Sequence, residues 1–221
     1  MRRVIHNNPY FCTGRFDIIV WFDVIIRSDN PRRCRGFIFS RNMHRKLLVT
    51  EMGRLNAEEY RRAEKLPLVV VLDNVRSLHN VGAVFRTADA FRLEGLCLCG
   101  ITAVPPHPEL HKTALGAEDC VEWRYYPTTL EAVQVLHDAG FMVLSLEQAE
   151  GSTRLERLAL EPGRHYAIVV GHEVHGVSQD VVDASDGCLE IPQFGTKHSL
   201  NVSVAAGIAI WQAYLQLASA H

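Results

Sequence analysis

The stretch LVVVLDNVRSLHNVGAVFRTADAF, from Leu68 to Phe91, decides the fold class. It opens as a short β-rich apolar run, Leu68–Asp73. Val81, Val84, Phe85, Ala88 and Phe91 then recur at i, i+3, i+4, i+7 and i+10, which lays one apolar helix face on the sheet. The alternation continues outward. Further strands are expected at Leu96–Ile101, Phe141–Leu146, Tyr166–Gly171 and Cys188–Ile191. A second helix carries Leu130, Val133, Leu136 and His137 and is ended by Gly140. A closing helix runs from roughly Leu200 to Leu217. Its small residues Ser203, Ala205, Ala206, Gly207 and Ala209 suit tight packing, within a subunit or between two. Strands and helices in this order build a parallel α/β sheet.

Upstream of Pro67 the texture changes. Residues 43–66 read as a basic helical extension with Asn56 as a cap, whereas residues 1–42 mix Arg, Phe and Ile without a helix or strand period. Residues 67–221 form the α/β domain. The first 66 residues hold 14 Lys/Arg against 7 Asp/Glu, and the rest 9 against 18. A basic arm on an acidic body is one way to hold nucleic acid, and a solvated or non-native N-terminus is the other reading. Met43 is the expected natural start, with a genuine nucleic-acid-binding arm as the alternative.

A chain of 221 residues, 48% of them hydrophobic, can bury one substantial core and carry an appendage. Its six cysteines lack both C-x-x-C pairing and small-scaffold density, so they read as buried or reduced thiols, which favours the cytoplasm. The apolar stretch Phe16–Ile26 is eleven residues long and contains Asp17 and Asp23, too short and too charged for a membrane span.

Two histidine pairs resemble metal sites, and spacing argues against the first and context against the second. His172 and His175 are three apart where a zincin helix needs four. His107 and His111 have the right interval, but the first sits in a proline-rich loop running into a helix, and no third ligand is evident. No metal is expected. Neither a G-x-G-x-x-G turn nor a Walker A loop follows the first strand, which removes the main phosphate cradle of dinucleotide enzymes and NTPases.

Three segments remain, each just past a strand, where an open α/β sheet places its ligand crevice. In the first, Asn80 lies at the helix N-terminus and Arg86 within the helix; an N-cap asparagine and a surface arginine would look the same. The second, VVGHEVHGVS, brackets Glu173 between Gly171 and Gly176. The third, IPQFGTKHSLNVSVAAGIAI, gathers a strand end, a loop at Gly195 and a helix start at Ser199 and Asn201, concentrating free amides at one helix terminus.

In this order the segments resemble the three motifs of the SpoU, or TrmH-like, RNA 2′-O-methyltransferases of the SPOUT superfamily. N-x-G-x-x-x-R matches Asn80 to Arg86, G-x-E-x-x-G matches Gly171 to Gly176, and S-L-N-V-S-V-A-A-G matches Ser199 to Gly207. KTALGAED, at Lys112–Asp119, looks like the family's segment between its second and third strands. The resemblance covers about residues 67–220 and not residues 1–42.

That resemblance implies a Rossmann-like parallel sheet whose C-terminal segment is threaded as a deep trefoil knot, a feature nothing in the spacing encodes. It implies S-adenosylmethionine as cofactor, bound around Gly171, Ile191 and Leu200, tRNA or rRNA as substrate, and a homodimer whose active sites are completed across the interface. The implied catalytic residues are Asn80, Arg86, Glu173, Ser199 and Asn201. The family arginine is often assigned as general base, but a guanidinium is effectively always protonated. Bidentate binding of a neighbouring phosphate is the easier role. Asn80, Ser199 and Asn201 would hold ribose or phosphate, and Glu173 would fix its loop. The competing readings are a base methyltransferase of the same fold and a non-catalytic RNA-binding protein.

Overall fold

Five consecutive aliphatic residues, Leu68 to Leu72, can all be buried only in a strand covered on both faces. The computed structural model describes residues 45–218. The chain divides between Leu47 and Leu48, and every element described below belongs to the unit that starts at Leu48. In chain order these are α1 (Ala57–Arg62), β1 (Leu66–Asp73), α2 (Leu78–Ala90), β2 (Leu93–Cys99), α3 (Pro108–Ala114), β3 (Trp123–Tyr126), α4 (Thr129–Asp138), β4 (Met142–Leu146), β5 (Thr153–Arg154), β6 (Tyr166–Val170), α5 (Gln179–Ala184), β7 (Gly187–Glu190) and α6 (Val202–Leu217). The sheet is parallel, in the order β3-β2-β1-β6-β4-β7-β5.

Alternate residues of β1 serve the two faces. Leu68, Val70 and Leu72 pack with α2, α3 and α6, while Val69 and Val71 pack with α4 and α5. Val81, Val84, Phe85 and Ala88 are fully buried, as the helical spacing requires. A Cβ on Gly82 would overlap the Thr113 hydroxyl and meet the Leu110 carbonyl at 2.6 Å, so the glycine lets α3 close onto α2.

Several boundaries move for physical reasons. Arg92, with φ of 49°, turns the chain directly from α2 into a strand, so β2 begins at Leu93 and not at Leu96. Ile101 lies beyond its end and is exposed. In α4 the stripe facing the sheet is Thr129, Ala132, Val133 and Leu136, and Leu130 points outward. Strands β3 and β5 are short and lie at the sheet's two edges, with partly exposed residues and no run that marks them in sequence. The basic extension is an α-helix only over Ala57–Arg62, started by a capping box between Asn56 and Glu59 and anchored by buried Tyr60. Residues 1–42, the expected start at Met43, and Cys12 and Cys34 lie outside the described residues. Cys97 and Cys99 are free and buried, and burial pushes both thiols up to about 12. Among the described residues no helix is long and apolar enough to cross a membrane.

One buried carboxylate fastens the end of β1. Asp73 is 2% exposed and accepts hydrogen bonds from the Thr129 hydroxyl at the start of α4, from Asn74 Nδ2 (2.9 Å), and from the Ser178 amide (3.0 Å) and hydroxyl (3.2 Å). It therefore joins β1, α4 and the loop that follows β6. Asp73→Ala leaves these donors without their acceptor and is expected to cost about 2–4 kcal/mol. Urea denaturation should show a lower midpoint at unchanged slope. An unchanged midpoint would mean that the hub adds nothing.

Candidate active site

The chain leaves β1 toward β2 on one side of the sheet and, after β3, crosses to β4 on the other, so the strand order reverses at β1 and β6. A crevice is expected outside the carboxyl ends of the strands at such a point. There the turn after β1 meets the loop Gly171–Ser178 after β6.

That loop is a tight hairpin. His172 and Gly176 exchange backbone hydrogen bonds of 3.0 and 2.8 Å. A Cβ on Gly171 would overlap the Gly176 carbonyl and the Val177 amide, so the two arms approach this closely only over a glycine. Glu173, at the tip, reaches the first turn of α2. Its Oε1 accepts from the Ser77 amide (2.9 Å) and Asn80 Nδ2 (3.0 Å), and its Oε2 from the Arg76 amide (3.1 Å). Burial pushes this carboxyl up, but the Ser77 amide, its own amide, Asn80 and the Arg76 amide together outweigh it, and the net pKa is lowered. At neutral pH Glu173 is thus a fixed anion at a helix N-terminus.

Asn80 continues the network. The carboxylate can only accept, so Asn80 must present Nδ2 to it and Oδ1 to the other side. That oxygen accepts from Asn201 Nδ2 (3.1 Å), which turns Asn201 Oδ1 toward α6 to cap the Ser203 amide (2.9 Å) and accept from the Ser203 hydroxyl (2.6 Å). One oriented relay, Glu173–Asn80–Asn201, therefore ties together the three segments singled out in the sequence. Asn80 is nearly buried, in the first turn of α2, and the N-cap itself is Ser77.

Beside the relay lies a cavity of about 290 Å³. Gly171, Ile191 and Leu200 line it, as do Glu173 and Ser199. Sequence reasoning missed Leu146, Glu147 and Gln148 on its far wall. Glu147 accepts from the Val177 amide (2.9 Å) and the Gln148 amide (2.8 Å), bracing the glycine loop from beneath. Their position just past β4 was the available signal, since strand ends supply such crevices.

Arg86 is elsewhere. It is exposed and lines a separate groove with Ala83, Thr87, Phe91, Lys112 and Thr113. Six residues beyond Asn80, it lies on a different side of α2. The histidine pairs have other occupations: His107 caps α3, His111 meets Glu118, and His172 accepts from the Val174 amide. No cluster of three metal-ligating side chains occurs among the described residues.

The SpoU rRNA methylase family model matches residues 67–211. A tRNA (guanosine(18)-2′-O)-methyltransferase from Thermus thermophilus is 32% identical over 167 residues, 76% of this chain and 84% of its own. Among solved structures, the AdoMet-bound rRNA methyltransferase from Sinorhizobium meliloti superposes with a TM-score of 0.64 at 26% identity, over 71% of this chain and 62% of its own. A TrmH/SpoU tRNA modifying enzyme from A. aeolicus gives 0.64 at 26% identity, over 72% and 80%.

Proposed function

The chain belongs to the SpoU rRNA methylase family, and we propose that it uses S-adenosylmethionine to methylate a ribose 2′-hydroxyl in tRNA or rRNA. The observation that carries this reading is the Glu173–Asn80–Asn201 relay, which joins three chain segments at one cavity beside the strand ends. The cavity's chemistry fits the cofactor. Leu146, Val170, Ile191, Leu200 and Val202 offer apolar walls for a purine, while Gln148, Gln193 and Ser199 offer polar groups and Glu147 and Glu173 favour a cation.

When bound, the cofactor supplies a methyl group that is already a strong electrophile. The protein's task is then alignment and charge stabilisation. Asn80 has its amide committed to the relay and acts as a positioning residue that holds Glu173 and the start of α6 in register. Asn201 is tied in the same way, to Asn80 and to the start of α6, so Ser199, exposed at the rim, is the group left for ribose or phosphate. Arg86, permanently charged, binds the phosphate beside the reactive ribose and steadies the developing oxyanion.

Because Arg86 and the cavity are apart in one subunit, this role calls for a homodimer in which Arg86 serves the second subunit's cavity. Supporting this, α6 presents a partly exposed apolar stripe, Val204, Ile208 and Trp211, 39–50% exposed. Phe91, on the Arg86 groove, contacts Trp211 and Tyr214 at ring distances of 5.8 and 5.1 Å, so groove and stripe adjoin. We also read the C-terminal segment as the knotted one. Supporting this, the segment after β4 holds it twice: Gln148 donates to the His198 carbonyl (2.8 Å), and Gln216 bonds the Leu158 carbonyl (3.0 Å) and Leu160 amide (2.9 Å). The buried free thiols suit the cytoplasm.

The test is to incubate the protein with methyl-labelled S-adenosylmethionine and unmodified total RNA, then digest to nucleosides. Label is expected in 2′-O-methylnucleosides. Label in base methylations alone would overturn the reaction.

A further inference from the structure

Phe194 is 89% exposed, more than any other large hydrophobic side chain among the described residues. It sits in the loop 191–201 between β7 and α6, next to Gln193, which lines the cavity. The loop does not hang free. Its far end is pinned by the Gln148 bond to the His198 carbonyl (2.8 Å) and by the Asn201 bond to Asn80 (3.1 Å). Lys197, three residues on, is exposed, and Val174, 72% exposed, borders the cavity from the opposite loop. An aromatic ring left in water in a loop that borders the site, with a lysine three positions along, forgoes the burial that an interior phenylalanine gains.

We propose that Phe194 is a stacking platform for an unpaired base of the RNA, next to the ribose presented to the cavity. The proposal rests on the RNA methyltransferase reading above and adds how the substrate is gripped. Unstacked bases of single-stranded RNA are taken up on aromatic faces, because every base has a π-face to offer. Lys197 meets the backbone phosphate of the same strand. The ring stabilises bound RNA and takes no part in methyl transfer, so its removal should raise KM for RNA with little change in kcat.

The experiment compares Phe194→Ala, Phe194→Leu and Phe194→Trp with the parent chain at fixed salt. The readouts are binding of an unmodified, transcribed tRNA pool by fluorescence anisotropy, methyl transfer, S-adenosylhomocysteine affinity and oligomeric state. Alanine and leucine are expected to weaken RNA binding about tenfold or more, and tryptophan to restore it, with cofactor affinity and oligomeric state unchanged throughout. Leucine matching the parent would show that apolar contact suffices and overturn stacking. Unchanged RNA affinity in the alanine variant would do the same, and loss of cofactor affinity or dimer would assign the ring to the cavity wall or a subunit interface. A parent chain that binds RNA but yields no 2′-O-methylnucleoside would defeat the reaction and leave the stacking comparison to be decided by anisotropy.

Discussion

Gly171→Ala is expected to abolish the rise in Tm that S-adenosylhomocysteine gives the parent protein. At a hundredfold excess over Kd, a ligand that binds only the folded state stabilises it by about 2.7 kcal/mol. For a chain of this size that is a shift of about 5–10 °C. A single methyl group at position 171 would occupy the space of the Gly176 carbonyl and the Val177 amide, both backbone atoms. No rotamer change relieves such an overlap, so the hairpin must open. Opening moves Glu173 away from α2 and withdraws a wall of the cavity. Gly195→Ala is the control, since a Cβ there meets nothing within 4 Å in a loop that also borders the cavity. Isothermal calorimetry on the folded protein separates lost binding from lost stability. A full shift in Gly171→Ala would remove the loop from the cofactor site.

The same glycine shows what a sequence can reveal of a site. A glycine directly after an apolar run is legible as a close approach, because the reason is local. So were β1 and α2, whose five aliphatic residues and helical spacing express burial within a few positions. The roles of Asn80 were not, because its partners Glu173 and Asn201 lie 93 and 121 residues away and are brought near only by the reversal of strand order. Glu147 reads as one more acidic residue until β4 is placed beside β6. Strands β3 and β5 went unseen because an edge strand of four or two residues needs no apolar run. For Arg86 the chain fixes a helix, but which side faces the cavity depends on how α2 is docked.

That docking makes Arg86→Ala the more informative substitution. Arg86 is exposed, so its removal should leave stability within about 0.5 kcal/mol and the S-adenosylhomocysteine shift intact. Methyl transfer should nonetheless fall about 100- to 1000-fold, the scale set by losing one group that stabilises developing negative charge. Arg86→Lys should recover little, because an ammonium cannot reproduce a bidentate grip on phosphate. Mixing then tells in which subunit the arginine acts. If it serves the second subunit's cavity, refolding Arg86→Ala together with Gly171→Ala places the intact arginine of one chain beside the intact cavity of the other. Half of the randomly assorted dimers would carry one complete site, so activity should return to about a quarter of the parent's. Should Arg86 act within its own chain, every site in the mixture keeps a defect and the two dead variants stay dead together. Near-normal transfer by Arg86→Ala alone would reduce the residue to a surface arginine and take the dimer argument with it.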